Sequence, residues 1–573
     1  MAEFDTVIKD GMVIDGTRLP RFRGDIGIKD GRVARIGRLK SHEGAKVIDA
    51  GGLFVAPGFV DLHTHYDAQL FWDPYCSISS WHGVTSIVIG NCGFGFAPVQ
   101  PELRERSMLT MTRNEAIPFA SMKAGMPWDW ITYPEFLDSV DRHPKAMNIL
   151  PFIPLSPLLI WVMGLDEAKT GRRFTEEEEQ QVRRLVNQAM DMGACGWSLQ
   201  RLGKVSIQPD YDGTPMVTDI MDDENILFFG RLLAERNEGF IQITYAPDFQ
   251  GDGDLNEGLR KLQKRLEAFH EKLADVSDRP LLFNAVAVND KFPERHRRLL
   301  KWLERCRERG LKIYGQSATV EAGFAFTFAD WNLWEDVPAW KEATLGNFEA
   351  RLQKLSDPER RAALRNCSPV LTNDWKDVFI VSVKNPEFKQ YENMNIVEAG
   401  KLMNKHPVDA MLDIAVADGL AAEFYSAPVN TDIDGFRELA GSELTIPGVS
   451  DGGAHTKFFM GGVYPTEYLM KVRDHNVMSL EAAHWRLSTQ PALCAGFKNR
   501  GTLREGSPAD IVVYDLNKLA VKPMEIAHDF PGGEWRRVKR AEGYDKILVN
   551  GEVTLDQGKP TGAMSGRLLR YGA

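Results

Sequence analysis

The feature that most constrains this chain is an alternation of two periodicities through its middle. Short runs rich in β-branched residues occur at LFVAPGFVDLHTH (53–65), TSIVIGNCG (85–93), AMNILPFIPL (146–155), ACGWSL (194–199), GFIQITYA (239–246), PLLFNAVAV (280–288), KIYGQSA (312–318) and LTIPGVSD (444–451). Amphipathic stretches of helical spacing separate them, among them 175–193, 223–239 and 255–276. A helix between two strands carries the chain back to the starting edge, so such strands pair in parallel. Eight of them favour an α/β fold closed as a (β/α)8 TIM barrel over an open sheet. The stretch from about 320 to 440 is too long for one connection and is expected to be an insertion.

The two ends have a different rhythm. Apolar runs flank Asp10-Gly11 and Asp30-Gly31 near the start and Asn550-Gly551 near the end, and each pair is predicted to be a hairpin turn. Neither end is long enough to bury a sheet by itself. Both are therefore expected to share one small β domain, from 1–57 and 496–573, beside a barrel of 58–495.

Composition excludes several classes. With 43 % hydrophobic and 26 % charged residues, the 573-residue chain is not a disordered one. A net charge of −11 gives no basic field to hold nucleic acid or an anionic membrane. No apolar run approaches the ~20 residues of a membrane span. The N-terminus lacks a signal-peptide core and the six cysteines form no CxxC pair, so a cytoplasmic protein is expected. A small-molecule substrate is the expected partner, and a homo-oligomer is left open.

Chemistry concentrates at the ends of the predicted strands. In GFVDLHTHYD (58–67), His63 and His65 are spaced to share a strand face, and paired neutral imidazoles suit a divalent cation. An HxH also arises by chance on many strands. Cys92, in IVIGNCGFGF (87–96), offers a thiolate ligand, the competing reading being a small buried core residue. Asp451, in GVSDGGAH (448–455), ends the last strand, which adjoins the first in a barrel. It suits a metal ligand or a proton carrier; a turn-capping role is the alternative. His455, four residues on, is a candidate substrate contact if it faces the mouth, and otherwise a loop or capping residue. The other histidines read as surface or packing residues.

These blocks together resemble a known family. VAPGFVDLHTH and GTLREGSPADIVVYD (501–515) are similar to the amidohydrolase superfamily. HTHYDAQLFWDP (63–74), HGVTSIVIGNCGFGFAPVQPE (82–102), SDGGAH (450–455) and PTGAMSGRLLR (560–570) resemble the N-acyl-D-amino-acid deacylases. The resemblance implies a distorted (β/α)8 TIM barrel with a small β-sandwich made from both termini, and amide hydrolysis by a metal-activated water, with His63, His65 and Cys92 as metal ligands and Asp451 as catalytic acid/base.

The chain departs from the pattern where the resemblance places histidines on strands five and six. Thr244, with Gln242 nearby, stands at the first position, and Asn284 or Ala285 at the second. On strand three Pro154, Leu155 and Leu159 replace the expected polar residues, and Ala287 stands where a substrate-binding lysine is expected. One divalent ion, zinc by its ligands, is accordingly favoured over two, held by His63, His65, Cys92 and Asp451. Thr244 and Asn284 become candidate substrate contacts. Arg201, in WSLQRLG (197–203), is a candidate partner for a substrate carboxylate, or a solvated loop residue. WDWITY (128–133) and FAFTFADWNLWEDVPAW (324–340) either overhang the mouth or pack inserted segments. The expected reaction is hydrolysis of an N-acyl amino acid or related N-acyl compound. Two alternatives remain: hydrolysis of a cyclic amide, lactone, carbamate or ester, and a metal-poor, non-catalytic binding protein.

Overall fold

The structure, a computed structural model, describes all residues except 1, 205–207, 246–254, 291–292, 331–333, 335–336, 368, 370–371, 373 and 573, and the side chains at 245, 255–260 and 262. The last residue of the fifth run (246) and five residues of the 324–340 aromatic segment therefore lie outside the described residues.

The fold is α/β. Its central strands, labelled here β1–β8, are Phe59–Asp61, Val84–Ile89, Asn148–Pro151 continued by Ile153–Pro154, Gly196–Arg201, Phe240–Tyr245, Leu281–Val286, Ile313–Ser317 and Thr445–Pro447. Each overlaps one of the eight runs read from the sequence. The pairings among them are parallel and follow chain order. The two halves of β3 serve different neighbours: Asn148–Pro151 pairs with β2, and Ile153–Pro154 pairs with β4. Just beyond β1, Thr64 bridges in parallel to Gly452, and the His65 amide donates to the Gly452 carbonyl at 2.7 Å.

Strand alternation sorts the core into two clusters. Trp197, Leu199, Ile241, Ile243, Leu281 and Phe283 pack with helix residues such as Phe229, Leu273 and Trp302. Val60, Val88, Leu150, Phe240, Leu282 and Ile446 form a second, smaller cluster, with Tyr314 against it. The helices Glu176–Asp191, Asp223–Arg236 and Leu255–Ser277 coincide with the three amphipathic stretches. The first starts at Thr175, whose side chain accepts from the Glu178 amide while Glu178 reaches back, a reciprocal cap that satisfies two otherwise orphaned donors.

Both termini enter one nine-stranded sheet. At its centre Phe54–Pro57 pairs antiparallel with Ile511–Tyr514, joining residues more than 450 positions apart. Two of the three predicted turns form: Asp30-Gly31 and Asn550-Gly551 both have positive φ and link adjacent antiparallel strands. Asp10-Gly11 does not turn the chain. It lies inside one continuous strand, Phe4–Val13, where the register against Phe22–Lys29 shifts by one residue. Gly11 is required there by close packing, since a Cβ would meet Val55 Cγ2 at 2.5 Å. The dipeptide marks a bulge, which uses the same left-handed residue as a turn.

The 320–440 stretch holds a three-stranded antiparallel sheet (Phe324–Phe326, Glu423–Ser426, Val378–Ser382) and helices including Ile396–Met403 and Pro407–Ala417. It has its own hydrophobic cluster, in which Phe326, Phe328, Trp334 and Trp340 are fully buried. Those aromatics pack the inserted unit and do not overhang a mouth. Trp130 is likewise buried, stacked on Phe71 at 5.4 Å. Among the described residues no helix is long and apolar enough to cross a membrane.

Candidate functional site

His63, His65 and Cys92 meet just past the carboxyl ends of β1 and β2. Cys92 Sγ lies 3.3 Å from His63 Nε2 and 3.9 Å from His65 Nε2. One donor atom from each of the three lies within 4.8 Å of the others, and all three residues are buried. Asp451 approaches from the segment after β8, with Oδ1 3.2 Å from His63 Nε2 and 3.7 Å from His65 Nε2. Its side chain is 22 % exposed, against 1–2 % for the two histidines, so the site reaches solvent past this carboxylate.

Backbone geometry places these groups. Cys92 and Asp451 both sit in the left-handed region, with φ of 57° and 47°, a conformation that non-glycine residues hold only when neighbours enforce it. The Cys92 amide donates to Gln242 Oε1 at 2.8 Å and the Gly93 amide to Ser198 Oγ at 2.9 Å, fixing the loop to β4 and β5. Gly93 has positive φ and packs so closely that a Cβ would sit 2.9 Å from Leu199 Cα. Ser450 Oγ donates to the His63 carbonyl at 2.9 Å. His63 Nδ1 donates to Gln316 Oε1 at 3.0 Å, which leaves Nε2 as the ring nitrogen facing the cluster.

The positions where histidines were expected are filled by a polar network. Thr244 Oγ1 lies 3.1 Å from Cys92 Sγ and donates to Asn284 Oδ1 at 2.8 Å. Gln242 Nε2 donates to the same Asn284 oxygen at 2.6 Å. These side chains face the site and satisfy one another. His455 also enters the site, its Nε2 lying 3.9 Å from Asp451 Oδ2. Arg201 does not. Strand alternation turns it to the helix side, where it pairs with Asp223 and its guanidinium sits 5.4 Å from the centre of the Phe269 ring. The expected carboxylate contact from Arg201 is corrected accordingly.

Sequence reading missed Glu115, the last residue of the helix Arg104–Glu115. It is 1 % exposed, and its Oε2 lies 3.8 Å from His65 Nε2 and 3.5 Å from His455 Nε2. Among the described residues that oxygen accepts no hydrogen bond. No motif or spacing in RERSMLTMTRNE marks this residue; the one available signal is a carboxylate in a segment following the Cys92 loop.

Electrostatics follow from burial and mutual proximity. Burial opposes ionisation of the Cys92 thiol, but the His63 and His65 imidazoles outweigh it and bring the thiol down to about 6. Burial also opposes charge on His63, yet Cys92 and Asp451 raise it to about 10. Against its own burial, Asp451 is held well below the ordinary carboxylate range by hydrogen bonding with His63 and His65. Burial pushes Glu115 up to about 8 and His455 down to about 4. A thiolate and a carboxylate thus converge on two imidazoles whose protons supply the compensating charge. A divalent cation would supply the same charge to neutral imidazoles, so this donor set fits a metal ion.

An α/β scaffold carrying imidazoles, a thiol and a carboxylate past the ends of parallel strands is the setting of a hydrolytic centre. Residues 46–151 and 382–555 match the sequence profile of the amidohydrolase family. D-aminoacylase of Alcaligenes xylosoxydans xylosoxydans is 32 % identical over 567 residues, spanning 99 % of this chain and 97 % of the relative. An uncharacterised protein of Mycobacterium tuberculosis is 27 % identical over 619 residues, spanning 99 % of this chain and 96 % of its own length. Among solved structures, an N-acyl-D-glutamate deacylase of Bordetella bronchiseptica, complexed with zinc and a phosphonate mimic of the tetrahedral intermediate, superposes with a TM-score of 0.66 at 22 % identity, covering 99 % of this chain and 100 % of that one. The chain belongs to the amidohydrolase family. It is a hydrolase of carbon–nitrogen bonds other than peptide bonds, D-aminoacylase-like in sequence.

Proposed function

We propose that the chain hydrolyses the amide bond of an N-acyl amino acid or a closely related N-acyl compound. The observation that carries this is the convergence of His63, His65, Cys92 and Asp451, in which the sulfur and the carboxylate each lie 3.2–3.9 Å from the two imidazoles. The identity to D-aminoacylase over nearly the whole chain supports the D series as the first to test.

The scaffold for this reading is a distorted (β/α)8 barrel of 58–495 carrying the 320–440 insertion, with a β-sandwich from 1–57 and 496–573. The smaller cluster, to which six of the eight strands contribute and on which Tyr314 of β7 packs, and the Thr64–Gly452 bridge between the first and last strand segments support closure.

His63, His65, Cys92 and Asp451 would hold the ion, and a thiolate beside imidazoles favours zinc. The mutually bonded Thr244 and Asn284 leave no imidazole donor on β5 or β6 for a second ion there. When bound, the ion polarises the scissile carbonyl and lowers the pKa of water toward ~7. Gln316 holds the His63 ring with Nε2 inward, and Gln242 holds the Cys92 loop. Asp451, the solvent-reachable member, takes a proton from the attacking water and returns it to the leaving nitrogen. Thr244, Asn284 and His455 line the space in which the acyl group and its amine would be oriented.

The test is a substrate panel on protein expressed with added zinc: N-acyl-D-amino acids, their L forms, cyclic amides, carbamates, lactones and esters. Release of free amine from the N-acyl-amino acids supports the proposal. Turnover confined to the cyclic or ester substrates replaces it with the alternative on the same scaffold. Zinc below a tenth of an equivalent together with no turnover would instead mark a binding protein.

A further inference from the structure

We infer that Asn284 Nδ2 donates a hydrogen bond to the carbonyl oxygen of the scissile bond and stabilises the negative charge that gathers there as water adds. This rests on the proposed reading only in taking the substrate to be a carbonyl compound hydrolysed beside His63, His65, Cys92 and Asp451.

The polarity of the Asn284 carboxamide is fixed from a group that has no choice. The Cys92 backbone N–H can only donate, and it meets Gln242 Oε1 at 2.8 Å. Gln242 therefore presents Nε2 elsewhere, donating to Thr244 Oγ1 at 3.0 Å and to Asn284 Oδ1 at 2.6 Å. The Thr244 hydroxyl donates to the same Asn284 oxygen at 2.8 Å. Both lone pairs of Asn284 Oδ1 are thus occupied. Nδ2 is left with its two hydrogens unused, and among the described residues it has no hydrogen-bond partner. Gln242 is fully buried, whereas Thr244 and Asn284 are half-buried, so the network opens to solvent at its Asn284 end.

Position assigns the oxygen that Nδ2 meets. Thr244 Oγ1 lies 3.1 Å from Cys92 Sγ, so the carboxamide stands one hydroxyl away from the cluster. Asn284 pairs in register with Gln316 on β7. Gln316 Oε1 accepts from His63 Nδ1, and its Nε2 is buried with no hydrogen-bond partner among the described residues. Two carboxamide donors therefore stand on adjacent strands beside residues that face Cys92 and His63. A neutral donor suits an oxygen that is uncharged in the substrate and gains charge during reaction. An ionised carboxylate calls for a cation instead.

The step balances. Asp451 takes a proton from water as the water oxygen bonds to the carbonyl carbon, and the C=O π pair moves onto the oxygen facing Asn284. That pair then re-forms the C=O bond, the C–N bond breaks, and its electrons leave on nitrogen, which receives the proton from Asp451. Asn284 exchanges no proton. Its hydrogen bond strengthens as the oxygen becomes charged, which lowers the barrier without tightening the substrate.

The experiment compares zinc-loaded wild type, Asn284→Ala and Asn284→Asp on the best substrate of the panel. It reads zinc content, kcat and KM, and by calorimetry the affinity for a phosphonate with tetrahedral phosphorus in place of the scissile carbon. Both variants are expected to keep their zinc and a KM within threefold of wild type, while kcat falls about 10²–10³-fold. Phosphonate affinity is expected to fall in step with kcat, a correlation that a merely structural role would not produce. A kcat within threefold of wild type in the folded variants overturns the inference. So does a fall in kcat with phosphonate affinity unchanged, or a rise in KM at constant kcat. If wild type turns over only cyclic or ester substrates, the N-acyl reading fails, and the same comparison on those substrates still decides Asn284. A wild type that neither turns over a substrate nor binds the phosphonate overturns both. Circular dichroism melts identify a failure to fold; if one variant unfolds, the other decides.

Discussion

Asp451→Asn isolates charge from shape. The substitution keeps side-chain volume and one acceptor oxygen, and removes a carboxylate whose Oδ1 lies 3.2 Å from His63 and 3.7 Å from His65. Asp451 is held well below the ordinary carboxylate range by those imidazoles, so it is ionised throughout the neutral range and can accept a proton from water. Loss of a general acid/base costs typically about 10²–10⁴ in rate, which is about 3–5 kcal/mol of transition-state stabilisation. The variant is therefore expected to retain about one zinc through His63, His65 and Cys92 while kcat falls by at least about a hundredfold. The assay is free-amine release from the best N-acyl substrate across pH, with metal content and thermal melts on the same preparations. A kcat within threefold of wild type, with an unchanged pH profile, would refute the proton-carrier role. Loss of activity in step with loss of zinc would reduce Asp451 to a ligand.

Arg201→Ala is expected to leave KM unchanged and to cost about 1 kcal/mol of stability, because the guanidinium is engaged by Asp223 and the Phe269 ring; a tenfold rise in KM would return it to the substrate. Trp334→Ala removes a fully buried ring 4.4 Å from Phe326 and is expected to cost about 3–5 kcal/mol. Hydrogen exchange should locate that loss in 324–426, and zinc content should stay constant; a fall in zinc content would couple the insertion to the site. Acid should destabilise the fold through His82, His270 and His484, which burial holds near 4, 3 and 3. Each is neutral when folded and protonates below ~6.5 when unfolded, so the unfolded state binds more protons. Stability should fall as pH drops from about 6.5 toward 4, by up to about 1.4 kcal/mol per pH unit for each histidine. Denaturant melts independent of pH over that window would contradict the burial argument.

The same kinds of evidence succeeded and failed in sequence reading for definable reasons. The eight strands were legible because periodicity reports burial, and burial is what the parallel sheets impose on each run separately. His63, His65 and Cys92 were legible because they lie at the ends of those runs. The hairpins at Asp30-Gly31 and Asn550-Gly551 were legible through local backbone preference, and Asp10-Gly11 failed for the complementary reason. A left-handed residue followed by glycine serves a bulge as well as a turn. Only Val55, packed 2.5 Å from where a Gly11 Cβ would stand, tells them apart. Glu115 failed more completely. Its environment is made by His65 and His455, residues 50 positions before it and 340 after it. Nothing within its own helix turn distinguishes it from a solvated glutamate, and its burial has no local cause. Arg201 failed in the opposite direction, since sequence places it near the mouth but strand parity turns it away. Where histidines were expected on β5 and β6, Gln242, Thr244 and Asn284 bond to one another and set Thr244 beside Cys92. The chemistry of such a site is therefore decided by contacts across strands, and Glu115 shows it most sharply: a buried carboxylate oxygen without a hydrogen bond among the described residues, facing two imidazoles.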